Sequence, residues 1–402
     1  MTPLRALAAT FALGLAPALP AYADFNDAPP EARGQSPAFP GQTRATVIPR
    51  APRLMQNILA EGLSNPWGMA LLPDGGVLIT ERPRRMRLYR DGALSEPLRG
   101  LPEVADAGQG GLLDVAVAPD FARTRQVWFS FAQPRGNREN ATAVGTGRLS
   151  DDDTALEDVQ IIFQQQPAVE SPIHFGSRLV FDAKGNLYVT TGERGLSSAE
   201  NPASQDLSNH LGKVLRLDAA TGRAASGNPF SDPEARPEIW SYGHRNLQAA
   251  ALDPEGRLWT VEHGPNGGDE LNRPQAGRNY GWPVISYGQN YDGNPVNGGI
   301  TAQAGMEQPV YYWDPVIAPS GMVFYRGDMF PEWNGNALIG GLRAGAVVRL
   351  TLDGDRVTGE QRLAEGLGRI RDIEIAPDGA LLVLTDEDPG ALIRLSRIGA
   401  QP

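Results

Sequence analysis

The sequence predicts an all-β chain built as a six-bladed β-propeller with long inter-strand loops. Three observations lead there. A turn followed by a strand recurs about six times along the chain. Glycine and proline number 47 and 34 among 402 residues, above ordinary usage of roughly 7% and 5%. No stretch carries the periodicity of a long amphipathic helix. Many short strands need many turns, and a ring of small antiparallel sheets needs them at recurring places.

The first copy of the phrase spans residues 72–80, where Asp74-Gly75 precedes Val77, Leu78 and Ile79. A looser copy runs from Ala118-Pro119-Asp120-Phe121 into Val127-Trp128-Phe129. Residues 181–190, 252–260, 334–339 and 375–383 repeat it, with Gly185, Gly256, Gly335 and Gly379 in the turns. A glycine there permits the positive φ of a tight turn, and the β-branched and aromatic residues that follow suit strands. Known blade repeats span roughly 40–50 residues, so the wider gaps here imply long insertions. A second, arginine-flanked phrase follows several copies, at residues 87–92, 213–218 and 347–350. It predicts a neighbouring strand of the same small sheet. Residues 54–59 are expected to close the ring beside strands near 381–395. A β-sandwich or β-helix would not need a recurring phrase of this length.

The ends of the chain read differently. Residues 1–23 resemble a secretory signal: Arg5, a short apolar run from Leu7 to Leu15, and Ala21-Tyr22-Ala23 at the cleavage position. The run is too short to span a membrane, which takes about 20 apolar residues. Residues 24–52 read as a flexible, proline-rich lead-in, and 53–402 as the propeller. The expected location is the periplasm, with no membrane span.

The chain has 36 basic and 47 acidic side chains, a net charge of −11. That argues against nucleic acid as a partner, since phosphate neutralisation needs a basic surface. The absence of cysteine removes disulfides, thiolate metal sites, thiol nucleophiles and an attached c-type haem.

Few residues remain as candidates for chemistry. The four histidines are His174, His210, His244 and His263. None has a partner at the spacing of a helical zinc site, but a loop histidine at the mouth of a ring can act as a base. No Gly-x-Ser-x-Gly elbow is present, which disfavours a serine hydrolase. The stretch from Gly264 and Pro265 to Asp269 and Glu270, followed by Asn279-Tyr280-Gly281, offers carbonyls and acids of the kind calcium takes. Arg245, Arg343, Arg369 and Arg371 are candidates for an anion site. Residues two apart in a strand share a face, so Arg369 and Arg371 can address one anion together.

Taken in order, several segments resemble the soluble quinoprotein sugar dehydrogenases, the PQQ-dependent soluble glucose dehydrogenases and aldose sugar dehydrogenases. They are residues 108–113, 174–181, 241–246, 264–272, 279–283, 317–321 and 369–372. The resemblance covers nearly the whole chain from about Leu59 to Leu395, and implies a six-bladed propeller with PQQ at the mouth of its central channel. By resemblance, His174 is the base that takes the hydroxyl proton as hydride leaves the sugar. Gln109, Arg245, Asn246, Tyr291, Arg343, Arg369 and Arg371 contact the cofactor. Gly264 and Pro265 hold a calcium ion at PQQ, while Glu270 and Tyr280 bind a second. Arg194, Tyr312 and Trp313 stand near the substrate. Ile173 and Arg194 replace an aspartate and a glutamine of glucose dehydrogenase, which fits the aldose branch better. The implied partners are a small-molecule aldose and a separate electron acceptor, with the protein a monomer or homodimer. The alternatives are a sorbosone-type or other dehydrogenase of the same group, a non-catalytic sugar- or protein-binding propeller, or a calcium-dependent lactonase. The last two do not need the arginine set.

Overall fold

Each recurring turn joins the first and second strands of one four-stranded antiparallel sheet. In a computed structural model, which describes residues 25–49 and 52–399, six such sheets form a ring. The expected signal segment lies outside the described residues. The innermost strands are Pro66–Leu71, Leu112–Val117, Gly176–Phe181, Leu247–Leu252, Pro319–Phe324 and Ile370–Ile375. Each touches the next around the central channel. The turns work as the sequence implies. Gly75 and Gly185 have φ of 87° and 80°, and Asp182 Oδ1 accepts the N–H groups of Lys184 and Asn186 at 2.8 and 2.9 Å. The arginine-flanked phrases fall in third strands, Arg85–Arg90, Lys213–Asp218 and Ala346–Asp353. The one α-helix among the described residues is the four-residue Phe121–Thr124.

The sixth blade takes three strands from the end of the chain and its outer strand, Leu54–Leu63, from near the start. That strand pairs with Gly390–Arg397 in the register Leu54↔Arg397 and Ile58↔Ile393. Apolar side chains fill the wedges between neighbouring blades. Phe129, Phe131, Leu112 and Leu78 share one such cluster, and Trp259, Val261, Ile339 and Val348 another.

All six innermost strands share one irregularity. Their pairing with the second strand slips within the first few residues, at Pro66/Gly68, Leu112/Val115, Gly176/Leu179, Leu247/Ala249, Pro319/Met322 and Ile370/Asp372. A bulge adds local twist and re-aims side chains. Here the bulges point at one end of the channel. Residues from three of the bulges meet there: the Trp67 ring carries the Arg178 guanidinium at 4.6 Å and that of Arg371 at 5.8 Å. Arg178 Nη1 also donates to Asp114 at 2.9 Å and Asp372 at 3.0 Å.

The lead-in corrects an expectation. Proline-rich composition suggested a flexible segment, but residues 25–49 are packed as a strap over the fourth and fifth blades. Gln42 supplies much of the reason. Its amide donates to Pro309 O at 3.0 Å, and its own carbonyl accepts the N–H of Tyr312 at 2.8 Å. Arg44 donates to Asp314 O at 2.9 Å. Val47 bridges Glu360 in parallel, and Ile48 N donates to Glu360 O at 2.8 Å. Proline removes donors and fixes φ, which suits a segment that docks through side chains and isolated bridges.

Candidate active site

The loops that enter the innermost strands meet at the bulged end of the channel. His174 lies two residues before the third inner strand, in a left-handed conformation with φ of 53°. Its N–H donates to Gln109 Oε1 at 2.8 Å. Its ring Nδ1 bonds the Glu193 carboxylate. Burial pulls the imidazole below its ordinary range, with Arg245 adding to the effect and Glu193 opposing it. Burial pushes Glu193 upward, but the bond and charge of His174, the Ser197 N–H and the Arg245 charge together hold it below the usual carboxylate range. The carboxylate is therefore ionised and Nδ1 carries the ring proton, so Nε2 keeps its lone pair. Glu193 is itself fixed, because its Oε2 accepts Ser197 N at 2.8 Å and its N–H donates to Arg245 O at 2.9 Å.

Beside this pair is a cavity of about 220 Å³, lined by Gln109, Trp67, His263, Gln248, Arg369 and Arg371, among others. Arg82 and Asp386 also line it. Arg371 spans Gln248 Oε1 at 3.0 Å and Asp386 Oδ2 at 2.5 Å. Arg369 reaches the same carboxylate at 3.4 Å. Arg82 donates to Gly108 O at 2.6 Å and Asn65 Oδ1 at 3.0 Å. Three guanidinium groups thus line the cavity, and two of them share its one lining carboxylate. The buried Nε atoms of Arg82, Arg371 and nearby Arg245 have no hydrogen-bond partner among the described residues. Orphaned charged donors are costly, and the guanidinium groups lining the cavity suit a small polyanion with planar carboxylates. His263 is held neutral, pushed down to about 3 by burial. Its Nε2 donates to Pro319 O at 2.8 Å. Asn246 accepts from Gly176 N at 3.3 Å and Gln248 at 3.2 Å, tying two inner strands together below the cavity.

Gly264, Pro265, Glu270 and Tyr280 meet in a narrow cleft with Glu262, Arg245 and Trp282. Arg245 Nη1 donates to Gly264 O at 2.8 Å and His263 O at 3.1 Å. Asp269 anchors the turn by accepting Gly264 N at 2.9 Å. Burial first, and Glu262 second, raise Glu270 well above the carboxylate range. A buried carboxylate, a half-buried one beside it and main-chain carbonyls are a donor set that suits a hard divalent cation. Tyr280 enters that set only through its main chain. Its hydroxyl is committed to Arg273 O at 2.6 Å, and its ring stacks on His244 at 4.8 Å. Among the described residues, no three His, Cys, Asp or Glu side chains are grouped to hold a metal.

Five expected contacts lie elsewhere. Arg194 is buried and fully spent on packing: it donates to Asn140 Oδ1 at 2.5 Å, Ile173 O at 2.9 Å and Ser171 O, and lies 3.7 Å over the Phe175 ring. It props the backbone that carries His174. Tyr312 and Trp313 sit in the outer strand of the fourth blade. Tyr312 stacks on Tyr287 at 4.0 Å and Trp313 donates to Glu360 at 3.1 Å, so both are packing residues under the strap. Tyr291 is 78% exposed on a loop. Arg343 pairs with Glu31 of the strap at 2.5 Å. Sequence reasoning overlooked Arg82, Gln248, Asp386 and above all Glu193, whose signal was its place one residue before Arg194.

The chain matches the family model described as glucose/sorbosone dehydrogenase over residues 63–394. It is 46% identical over 347 residues to the aldose sugar dehydrogenase YliI of Escherichia coli K12, covering 84% of this chain and 92% of that one. The solved apo-form of the soluble aldose sugar dehydrogenase from Escherichia coli superposes with a TM-score of 0.82 at 44% identity, covering 86% of this chain and 100% of the other. The PQQ-bound form of an aldose sugar dehydrogenase from Streptomyces coelicolor superposes with a TM-score of 0.68 at 29% identity, covering 86% and 100%.

Proposed function

The chain belongs to the glucose/sorbosone dehydrogenase family, and we propose that it is an exported aldose dehydrogenase that uses PQQ and calcium. The observation that carries this is the ring of Arg82, Arg369 and Arg371, in which the Nε atoms of Arg82 and Arg371 have no partner among the described residues, beside a histidine held neutral by burial. Arg82, Arg369 and Arg371 would hold the carboxylates of PQQ, with Gln109, Arg245 and Asn246 around it. Gly264 and Pro265 would offer carbonyls to calcium. Bound there, PQQ supplies a two-electron acceptor for the hydride leaving C1, with calcium as its Lewis acid.

The protein's own part is positional and electrostatic. Oxidising a cyclic aldose at C1 to its lactone removes one hydride and one proton. Glu193 fixes the His174 tautomer, so Nε2 is the atom that takes the hydroxyl proton. Gln109 and the left-handed turn at residue 174 set the height of the ring. Electrons then leave to a separate acceptor.

The export reading rests on residues 1–23. Reconstitution tests the activity. Apoprotein mixed with PQQ and Ca²⁺ should reduce a dye in the presence of aldoses, and a chelator added before PQQ should abolish this. Failure to bind PQQ would sink the reading. Binding without turnover on aldoses or sorbosone would leave only a non-catalytic role.

A further inference from the structure

The strap reaches the active-site face through one ion pair. Glu31 Oε1 meets Arg343 Nη1 at 2.5 Å, with side-chain exposures of 16% and 55%. Glu31 is built in, not draped. Its Oε2 accepts Val316 N at 3.0 Å, and its N–H donates to Asp314 Oδ1 at 2.6 Å. Asp314 also accepts Ala32 N at 3.1 Å. Arg343 sits in the turn between two strands of the fifth blade, and that turn belongs to the cavity wall. Leu342, the residue before it, lines the cavity. Arg343 N donates to Ile317 O at 3.0 Å, while Ile317 N donates to Asp269 at 2.9 Å, the carboxylate that also anchors Gly264. A half-exposed guanidinium on a long stem therefore belongs to the residue next to a wall residue of the cationic cavity, and it is paired with a fixed carboxylate.

We propose that Glu31 is a positioning residue that competes with the anionic cofactor for Arg343, making the strap an inhibitory contact on cofactor loading. This rests on the proposed PQQ site. With the strap pair closed, the cavity offers three lining arginines; with it open, a fourth cation joins them. The carboxylate is held by the strap's main chain, so the arginine is the partner that moves. With its arginine half-exposed, a pair of this kind exchanges at small cost and is sensitive to salt.

The test is a titration of the full apoprotein with PQQ in Ca²⁺, followed by tryptophan fluorescence quenching, on wild type, Glu31→Gln, Arg343→Gln and the double variant. Glu31→Gln keeps the oxygen that accepts Val316 N, so the strap stays docked; a melting temperature near wild type checks this. The expected result is a Kd about threefold to fivefold lower for Glu31→Gln at low salt, converging on wild type as salt screens the pair. Arg343→Gln should bind more weakly than wild type, and Glu31→Gln should have no further effect in that background. An unchanged Kd for Glu31→Gln, with wild type still binding PQQ, overturns the proposal alone. The same gain in the Arg343→Gln background also overturns it, since the effect would not run through that arginine. No PQQ binding by wild type would bring down the cofactor reading, and this proposal with it.

Discussion

The Glu193 carboxylate decides what His174 can do. It raises the imidazole's proton affinity while burial and Arg245 lower it, and burial prevails. The base is thus neutral at pH values where a free imidazole begins to protonate, and kcat/KM should hold level down to below about pH 6.5, the ordinary imidazole range. Removing Glu193 removes the raising influence. Glu193→Gln should move the acid limb to still lower pH and cut kcat about tenfold to a hundredfold through loss of tautomer control. An unmoved acid limb would show that the pair does not govern the base. His174→Ala should retain PQQ in a fluorescence titration and lose about two to four decades of kcat. Much of this residue set could be read in the sequence, because His174, Gln109, Arg245, Arg369 and Arg371 stand in short segments of recognisable order. Glu193 and Arg194 show where reading stops. Arg194 has a φ of 63°, so the strand's alternation no longer says which of two adjacent charges faces the site. Sequence reasoning chose the arginine, and the fold uses the glutamate.

At the scale of elements, the bulge that begins each inner strand is what turns six ordinary blades into a site. The hairpins were legible because an Asp-Gly pair and β-branched residues act locally. The bulges were not, since a register slip depends on the partner strand. Tyr312 and Trp313 were misplaced for a related reason: an aromatic run reads alike in an outer strand beneath a strap and at a rim. The loop before the third inner strand shows the mechanics. Arg194 holds three carbonyls of residues 140, 171 and 173 and stacks on Phe175. Replacing it by alanine orphans those buried acceptors, with an expected loss of about 3 kcal/mol in chemical unfolding. Arg194→Lys should recover little of that, because an ammonium cannot reproduce the planar fork. Full recovery by lysine would mean that charge alone matters there.

At the scale of the whole molecule, charges of opposite kind are gathered in two cavities of the ring. Arginines line one. The other, of about 510 Å³, is lined by Asp114, Asp372 and Glu374 around Arg178. Burial first, and Asp372 second, push Glu374 up to about 8; burial, opposed by Arg178, takes Asp114 to about 7. Folding thus binds protons there. The stability this provides is complete in acid below the normal carboxylate range and fades as pH climbs through 7 to 8. Melting temperature should accordingly fall between pH 5 and 9, and Glu374→Gln should flatten that fall and exceed wild type at the alkaline end. Parallel melting curves for the two proteins would refute this. The shared outer strand of the sixth blade has a further bearing, on the order in which the chain becomes a protein. Ile58 finds Ile393 only after every other blade has been made. A ribosome-bound chain therefore carries an open arc with its first strand unpaired. Such an arc cannot lock early, so a translocase that threads extended polypeptide would receive a substrate not yet committed to its final form.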